Sequence, residues 1–402
     1  MITVLDSLRV RRNLMKIAKF SLTLVCTVVL ISGFAGRAQC ISILSYGGSG
    51  NGTTNNSPAL ASAVAALPIN GGCISFPGGR YLFSTAVTLS DPSGGGLYSV
   101  TLQGAGTDNT TLYWAASNGI IVNANGAKQT IHVRDLTFST GSAGGYSALT
   151  LNNSSPLGVI ALSDITHTIF RGDDGGAATQ YWGNGISVAG QSNINFDSDT
   201  FFGPGAGNAG NGIFLNGSPN VSPYYGIVFN IAKCGFFWTG NGLVIGTLIQ
   251  GVTVTQSNFT NGITGIWAIP SGFGLDELDI TSGNQFNTTG NQIEIQQGIA
   301  DLIVGGNLIF VSGANTGVFI DAGGVRTSIV NNVFYGTANS GYGVYVAGSV
   351  PSGIATSNVF SNLSEGVELI GTSGWNVQAN SYSSVVTPVG HIGSNSVGVA
   401  TP

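Results

Sequence analysis

The sequence predicts an all-β protein: a single-stranded right-handed parallel β-helix, or solenoid, with a short N-terminal capping helix. Between Gly240 and Tyr382 one unit recurs, in which an alternating apolar strand leads through a small polar turn to an aromatic or aliphatic residue. An asparagine stands two positions before five of the six closing residues. The chain of 402 residues is 43% apolar and 7% charged and holds 63 glycines, which suits many short strands joined by tight turns.

The spacing of the closing residues gives the size of one coil. Successive closing residues lie 27, 23, 25, 26 and 22 positions apart. They are Phe259, Phe286, Ile309, Phe334, Phe360 and Tyr382. A period in the low twenties with strand alternation predicts one coil of a parallel β-solenoid, and parallel crossovers are right-handed as a rule.

The recurring asparagines predict an internal ladder. They are Asn284, Asn307, Asn332, Asn358 and Asn380. If coils stack at about 4.8 Å, these amides form a column in which each can bond its neighbour and the backbone of a tight turn. Such a column fixes the register, since a slip by one residue would turn each apolar strand residue outward.

The first 38 residues predict a secretory signal peptide. A basic start at residues 15–19 is followed by an apolar run over 20–34 and by small residues before position 39. The run is shorter than the roughly 20 residues that a membrane span needs. We therefore predict a secreted or cell-surface protein, in the periplasm or outside the cell, without stable membrane insertion after cleavage.

Removal of this segment leaves an acidic chain. It takes away six of the basic residues and one acidic residue, so that 6 basic and 16 acidic residues remain, a net charge of about −10. This balance predicts no nucleic-acid partner. It also disfavours a polyanionic substrate unless a metal ion offsets the carboxylates.

The cysteines suit an exported protein. Cys40 and Cys73 both lie at the N-terminal end, and the hypothesis is that they form a disulfide bridge. Cys234 falls in the same column as the ladder asparagines and is predicted to be a small buried apolar residue.

Two further residues near these turns have structural interpretations. Asp199 also falls in the ladder column, which favours a structural role in the turn over catalysis. Lys233 occupies an inward position near a turn and is expected to bond backbone carbonyls or a neighbouring carboxylate.

The N-terminal region of the mature chain predicts a cap. Residues 41–46 alternate like a strand, and 47–54 have the composition of a loop. Ser57 and Pro58 predict the N-cap and first residue of a helix over 58–67. This helix would cover the apolar end of the first coil.

Motifs in this region resemble the opening of pectate-lyase-superfamily proteins, in particular the rhamnogalacturonase/epimerase-like group. They are residues 45–57, Gly71-Gly-Cys-Ile-Ser-Phe-Pro-Gly-Gly-Arg-Tyr81 and Val100-Thr-Leu-Gln-Gly-Ala-Gly106. The resemblance implies the pectin-lyase fold, a right-handed parallel β-helix, and action on polysaccharides. This group usually carries aspartates where the present chain has Asn51, Asn55 and Asn56, so no carboxylate role is carried over to this loop.

We therefore divide the chain into a signal peptide (1–38), an N-terminal cap with the first coils (39–112), β-helix coils (113–382) and a C-terminal cap or tail (383–402). Coils closing at Phe138, Phe170, Phe201 and Phe236 are longer, with spacings of 32, 31 and 35. The surplus residues predict loops at 171–184, 203–211 and 216–225. Because loops on a rigid repeat commonly build binding surfaces, the functional face is expected between about residues 131 and 237.

Positions four and six before each closing phenylalanine should face solvent. They hold His132 with Arg134, Asp164 with Thr166, Asn195 with Asp197, and Asn230 with Ala232. Asp164 and Asp197 would lie about 8 Å apart between α-carbons, from one coil spacing and two residues along the strand. Carboxyl groups at roughly 6.5 to 9.5 Å suit an inverting glycosidase.

The first long loop adds further candidates. Asp173 and Asp174 could supply a general acid or bind a cation, although a solvated Asp-Gly turn is the favoured interpretation of these two taken alone. Three aromatic pairs lie in the loop-rich half of the chain, at Tyr181-Trp182, Tyr224-Tyr225 and Phe237-Trp238. Their ring faces suit sugars, and stacking is favoured for Tyr181 and Trp182, which lie beside the Asp-Asp turn. Tyr181 and Trp182, together with His132, Arg134 and Arg171, make the predicted substrate-binding set.

The favoured prediction is glycosidic-bond cleavage by Asp164, Asp197 and the Asp173/Asp174 pair, with no cofactor required. Two alternatives stay open: a lyase acting on a uronate polymer, which would call for Ca²⁺, and a non-catalytic adhesin-like β-helix that binds glycans. A homotrimer, as in tailspike-type relatives of the superfamily, also stays open.

Overall fold

The computed structural model describes residues 40–90, 98–124, 129–153, 161–205, 207–218, 226–269, 275–296, 298–321, 326–348, 350–390 and 397–398. The predicted signal peptide lies outside the described residues. Ile41–Pro402 forms one compact unit. No helix in the described ranges is long and apolar enough to cross a membrane.

The described chain contains one α-helix, α1 (Ser57–Ala65), one 3-10 helix (Ile43–Tyr46) and 37 strands. In chain order the strands are β1 (Ile41–Ser42), β2 (Asn51–Asn55), β3 (Gly71–Phe76), β4 (Gly79–Phe83), β5 (Val87–Ser90), β6 (Tyr98–Gly104), β7 (Thr110–Trp114), β8 (Ile120–Ala124), β9 (Gln129–Thr140), β10 (Ser147–Asn153), β11 (Ser163–Gly172), β12 (Asn184–Ala189), β13 (Ile194–Asp197), β14 (Thr200–Phe202), β15 (Asn211–Asn216), β16 (Gly226–Ala232), β17 (Gly235–Phe237), β18 (Asn241–Ile245), β19 (Ile249–Thr255), β20 (Asn258–Thr260), β21 (Thr264–Ala268), β22 (Leu275–Thr281), β23 (Gln285–Asn287), β24 (Ile293–Ile295), β25 (Ile299–Gly305), β26 (Leu308–Val311), β27 (Thr316–Ile320), β28 (Arg326–Val330), β29 (Val333–Gly336), β30 (Tyr342–Val346), β31 (Gly353–Thr356), β32 (Val359–Ser361), β33 (Glu365–Leu369), β34 (Trp375–Gln378), β35 (Ser381–Ser383), β36 (Thr387–Gly390) and β37 (Val397–Gly398).

These strands pair in parallel and confirm the predicted right-handed β-helix with its short N-terminal helix. Each coil supplies three strand segments. We call the stack of paired strands that runs through β6, β9, β11, β13, β16 and β19 and continues to β34 the first face. The second face is the stack that runs through β7, β14, β17 and β20 and continues to β35. The long strands β9 and β11 belong to both. The third face is a separate 12-stranded sheet from β5 to β36.

The closing phenylalanines stack along the core. Ring centroids of Phe201 and Phe236 lie 4.9 Å apart and those of Phe236 and Phe259 lie 4.6 Å apart, with nearly parallel planes. The spacing equals the distance between hydrogen-bonded strands, so each coil contributes one ring per layer. Strands of the third face carry glycine where they pack against this stack. A Cβ atom on Gly212 of β15 would lie 2.4 Å from Cδ1 of Phe236, so no larger residue fits there.

The predicted asparagine ladder is confirmed. Nδ2 of Asn284 donates to Oδ1 of Asn307 at 2.9 Å, and the same bond continues through Asn332 and Asn358 to Asn380 at 3.0 to 3.1 Å. All five side chains are buried. The bonds satisfy polar groups inside the turn between the first and second faces, which holds the coils in register.

The N-terminal cap differs from the prediction in three details. Only Ile41–Ser42 is a strand, because Ile43–Tyr46 forms a 3-10 helix. The predicted loop contains strand β2, and α1 begins at Ser57 and ends at Ala65. Asn56 rather than Ser57 is the N-cap, and its buried side chain instead bonds the backbone of Ser49, Thr54 and Leu82.

As predicted, α1 packs on the core, with Ala59, Leu60 and Ala63 buried in the same apolar cluster as Ile43. Cys40 and Cys73 are both disulfide-bonded, while their pairing with one another stays a prediction. Cys234 is a free and buried thiol, as expected, and burial raises its pKa well above the ordinary value.

Candidate functional site

The outward columns of the first face have the predicted register. His132 of β9 lies opposite Asp164 of β11, and Asp164 lies opposite Asn195 of β13. Two residues further along, Thr166 lies opposite both Arg134 and Asp197. Asp164 and Asp197 therefore occupy neighbouring strands with an offset of two residues, on the solvent side of the sheet.

Asp164 and His132 form a direct polar contact on this face. Oδ2 of Asp164 lies 2.5 Å from Nδ1 of His132, and Nε2 of the ring lies 3.4 Å from Oγ1 of Thr130. The side chains of His132 and Asp164 are 26% and 31% exposed. The pair is thus accessible from solvent, and the hydrogen bond fixes which edge of the imidazole faces outward.

Asp197 has a cationic neighbour on the next coil. Nζ of Lys233 lies 3.4 Å from Oδ1 of Asp197, and Oγ of Ser198 donates to the same oxygen at 3.1 Å. Lys233 has a φ of 54°, in the left-handed region, and lies in the turn between β16 and β17. The expectation that Lys233 would contact a neighbouring carboxylate is confirmed.

A third aspartate lies inside the solenoid behind these two. Asp199 is fully buried, and its Oδ1 accepts a hydrogen bond from the backbone N–H of Thr168 at 2.9 Å. Burial raises the pKa of Asp199 well above the ordinary value, and the nearby negative charges of Asp197 and Asp164 act in the same direction.

Asp173 is held by a residue that sequence reasoning did not identify. Nη2 of Arg80 donates to Oδ2 of Asp173 at 2.7 Å, Oγ of Ser139 donates to Oδ1 at 3.3 Å, and the guanidinium lies 3.8 Å above the centre of the Tyr113 ring. Arg80 and Asp173 are 93 positions apart in the chain. No local pattern could have paired them, since only the stacking of coils brings β4 near the loop after β11.

The carboxylate of Asp174 is hydrogen-bonded to residues of its own loop. Its carboxylate accepts hydrogen bonds from the backbone N–H and Oγ1 of Thr179 and from the backbone N–H of Gln180. Burial alone would raise the pKa of Asp174, but these bonds outweigh it and hold the pKa below the ordinary value. A lowered pKa disfavours Asp174 as the general acid that the sequence predicted from this aspartate pair.

We expect Asp174 to govern the order of this loop in a pH-dependent way. Because the folded-state pKa is lowered, its contribution is present above the unfolded pKa of about 4 and is lost as the pH falls through the folded pKa. Asp174→Asn should speed hydrogen exchange of the Thr179 and Gln180 amides at neutral pH. Asp173→Asn, the matched control, should leave those two amides protected, and equal exchange in both variants would contradict the assignment.

The two aromatic residues of the first loop lie in different environments, Trp182 in the core and Tyr181 at the surface. Trp182 is only 3% exposed, its Nε1 donates to the carbonyl of Phe138 at 3.3 Å, and its ring packs edge-on against Trp114. The prediction that Trp182 stacks on sugar is therefore wrong: its ring lies in the core and anchors the loop. Tyr181 is partly exposed and its backbone pairs with that of residues 142–144.

A cluster of three partly exposed rings lies on the second face, on the coils of β13–β14 and β16–β17. Ring centroids are 5.5 Å apart between Phe202 and Phe237, 6.3 Å between Phe202 and Trp238, and 6.1 Å between Phe237 and Trp238. Sequence reasoning noted Phe237 and Trp238 but missed Phe202. The signal was present, because Phe202 and Phe237 each follow a closing phenylalanine directly and lie opposite one another.

The remaining predicted residues are spread more widely. Nη2 of Arg134 donates to Oε1 of Gln103 at 3.2 Å on the first face, and Arg171 lies opposite Ser139 on the second.

The carboxylate of Asp301, on a later coil, is paired with Arg326, whose Nε and Nη2 both donate hydrogen bonds to it. Over the described ranges, no group of three or more histidine, cysteine, aspartate or glutamate side chains is placed to hold a metal ion. Tyr224 and Tyr225 lie outside the described residues.

Comparison with solved structures identifies other parallel β-helix proteins. Tailspike protein 3 of bacteriophage CBA120 superposes with a TM-score of 0.53 at 13% identity, over 87% of this chain and 59% of that one. The surface adhesin PfbA of Streptococcus pneumoniae gives 0.46 at 12% identity, covering 87% and 93%. The A-module of the Azotobacter vinelandii mannuronan C-5 epimerase AlgE6 gives 0.43 at 16% identity, covering 90% and 100%.

The similarity to the tailspike protein, at 13% identity, supports a shared fold and says nothing about the reaction. The chain matches no protein-family model and no functionally curated protein. A functional assignment therefore depends on the side chains of the first and second faces.

Proposed function

We propose that this protein is a secreted or cell-surface β-helix enzyme that binds an extracellular polysaccharide across β9, β11, β13 and β16 and hydrolyses its glycosidic bonds. The observation that carries the proposal is the register of Asp164 and Asp197, which sets two partly exposed carboxylates on neighbouring strands with an offset of two residues. That offset corresponds to about 8 Å between α-carbons. Two side chains that leave the same side of the sheet in parallel keep about the separation of their α-carbons, and carboxyl groups at roughly 6.5 to 9.5 Å leave room for the water of an inverting mechanism.

The contacts of the two acids suggest different roles. Asp164 is the proposed acid: its carboxyl proton passes to the leaving glycosidic oxygen and leaves a carboxylate, while Nδ1 of His132 holds Oδ2 in place. Asp197 is the proposed base, and its Oδ1 lies 3.4 Å from the ammonium nitrogen of Lys233. It takes a proton from the attacking water as the bond between the sugar and the leaving oxygen breaks.

Sugar binding would rest on hydrogen-bonding side chains of the first face and on rings of the adjoining second face. The Phe202, Phe237 and Trp238 cluster offers apolar faces that suit the C–H faces of pyranose rings. Arg134 and the hydrogen-bonded pair Asn195 and Asn230 lie along the same coils and can bond hydroxyl groups. Tyr181 stays a proposed contact, while Trp182 has no accessible face.

The pectate-lyase-superfamily resemblance of the N-terminal motifs supports polysaccharide as the substrate class. Within that class the net charge of about −10 on the mature chain favours a neutral polymer over a uronate. Uronate elimination would call for Ca²⁺ or several cations around the acid groups. Assembly as a homotrimer is compatible with this proposal and is not required by it.

A non-catalytic, adhesin-like glycan binder is the second candidate. It is favoured by the loop contacts, since Asp173 is committed to Arg80 and Asp174 to the backbone of Thr179 and Gln180. Two of the four acids proposed from the sequence are thus engaged in contacts that stabilise the loop. A binder would use the ring cluster and the polar columns without needing Asp164 or Asp197 to react.

A polysaccharide panel separates these functions. The purified chain is incubated with neutral and uronate polymers, and reducing ends, unsaturated-uronate absorbance and retention of the protein on each polymer are measured in parallel. Hydrolysis predicts new reducing ends with no absorbance from unsaturated products. Retention without any product would support the adhesin-like function, and unsaturated products would support the lyase.

A further inference from the structure

One buried column runs the length of the turn between the first and second faces, and a single acid occupies it in the described coils. Its members from β11 onward are Thr168, Asp199, Cys234, Ser257, Asn284, Asn307, Asn332, Asn358 and Asn380, and all of them are buried. Five are the ladder asparagines. Asp199 therefore stands where later coils place an uncharged amide.

The ladder asparagines use their two side-chain atoms differently. In Asn332, Oδ1 accepts the backbone N–H of Asn307 at 3.0 Å, while Nδ2 donates to the carbonyl of Val304 at 2.8 Å. The other four asparagines donate in the same way to carbonyls one coil earlier, which belong to Val254, Ile280, Ile329 and Ala355. Each ladder position therefore needs one acceptor atom and one donor atom.

Asp199 supplies the acceptor in the same manner, through Oδ1 and the N–H of Thr168. Its Oδ2 is buried and has no hydrogen-bond partner among the described residues. Ile165 precedes Phe196 in the register column that continues to Val254 and the later carbonyl acceptors, so the Ile165 carbonyl occupies the position that accepts an asparagine N–H elsewhere. An ionised oxygen there would face a carbonyl oxygen with no proton between them, at a high desolvation cost.

We propose that Asp199 is a neutral carboxylic acid that replaces asparagine in the ladder, with the proton on Oδ2 donated to the Ile165 carbonyl, and that losing this proton loosens the coil beneath Asp197. This makes the coil pH-sensitive at one buried position. The proposal rests on ladder geometry and does not depend on the reaction proposed above.

The charged and titratable groups around Asp199 agree with a neutral acid. On its own strand and the preceding coil it faces the carboxyl groups of Asp197 and Asp164, whose negative charges oppose ionisation. On the following coil it faces the Cys234 thiol, which lies within hydrogen-bonding distance of the carbonyls of Phe196 and Ala232.

The two remaining basic or titratable neighbours point away from Asp199. Lys233, the residue before Cys234, is 58% exposed and bonds Asp197. His167, the residue before Thr168, is exposed on the turn. Among the residues that the structure describes, no cation therefore compensates a charge on Asp199, and burial raises its pKa.

The sign of the pH dependence follows from proton binding. Between the unfolded pKa of about 4 and the raised folded pKa, the folded state holds a proton that the unfolded state has lost. The contribution of Asp199 to stability is therefore fully present below the unfolded pKa and is lost as the pH rises toward the folded pKa. Asparagine keeps the donor at every pH, so Asp199→Asn should remove this loss.

The test compares urea unfolding of the full chain and of Asp199→Asn from pH 4 to pH 9. The folding equilibrium constant of the variant, divided by that of the parent, should rise about tenfold per pH unit until the folded pKa is passed. Asn332→Asp is the matched control: it places an acid in a normal ladder position and should create the same pH-dependent loss. In parallel, infrared spectra of the parent near neutral pH should contain the carbonyl band of a neutral carboxylic acid, and Asp199→Asn should lack it.

Three outcomes would overturn the proposal. The first is a ratio that stays flat or falls with pH, which would mean that Asp199 is ionised in the folded chain. The second is an unchanged infrared spectrum in the variant. The third is failure of Asp199→Asn to fold even at low pH, because an asparagine should fit this ladder position without strain.

Discussion

Replacing Asp197 with asparagine is expected to lower kcat on the true substrate by about 10²- to 10⁴-fold, the range that general acid–base groups contribute. Asparagine keeps the size of the side chain and a hydrogen-bonding oxygen beside Lys233, but it cannot take a proton from water. Asp164→Asn should have a loss of the same order, because the amide cannot give an acidic proton to the leaving oxygen. Initial rates of reducing-end release, with circular dichroism to verify the fold, measure both effects.

The same face provides a matched control for that experiment. Asp279 lies in the register column of Asp164, Asn195, Asn230 and Thr253, but three coils beyond Asn195. Asp279→Asn should therefore leave turnover unchanged while removing one surface carboxylate. Unaltered turnover in both Asp164→Asn and Asp197→Asn would discard the proposed site, and a comparable loss in Asp279→Asn would show that the face acts only through its charge.

The largest expected effect on stability comes from the ring stack. Phe236→Ala should lower the free energy of unfolding by about 3 to 5 kcal/mol, the range for removing a buried aromatic ring. Phe236 is 1% exposed and its ring is stacked between those of Phe201 and Phe259. Backbone hydrogen bonds fix the spacing between coils, so the coils cannot move together to close the resulting cavity fully.

The next residue of the chain is the matched control. Phe237 points to the opposite side of the same strand and is partly exposed, with its ring 5.5 Å from that of Phe202. Phe237→Ala should cost about 1 kcal/mol, as expected for one aromatic contact at the surface. Urea unfolding of the two variants measures both values, and equal losses would contradict the assignment of Phe236 to the core and Phe237 to the surface.

If the proposed function is correct, the two variants also separate stability from binding. Phe237→Ala should weaken retention on the polysaccharide, since it removes one ring of the exposed cluster. Phe236→Ala, studied at a temperature where it remains folded, should bind like the parent chain. Opposite behaviour would place the sugar elsewhere on the surface.

The repeat pattern was sufficient to predict the fold, the ladder and the outward columns. The reason is that stacking in register makes sequence distance from a closing residue equivalent to position on the coil. Counting four and six residues back from Phe170 and Phe201 thus placed Asp164 and Asp197 correctly relative to one another. The same counting assigned Asp199 and Cys234 to the interior.

Residues outside the repeat were not predictable in this way. Trp182 follows no counted position, and its burial depends on how the loop after β11 folds back over Phe138 and Trp114. The bond between Asp173 and Arg80 likewise joins a loop to a strand several coils earlier.

By itself, therefore, the sequence determined the coil, its period, which side chains face inward, and that acids gather on one outward surface. The tertiary structure alone decided which of those acids are available, since Asp173 and Asp174 are held within the loop while Asp164 and Asp197 remain on the open face. The physical reason is that strand register is a periodic property that each coil repeats, whereas a loop's hydrogen bonds depend on contacts between distant segments that no period encodes.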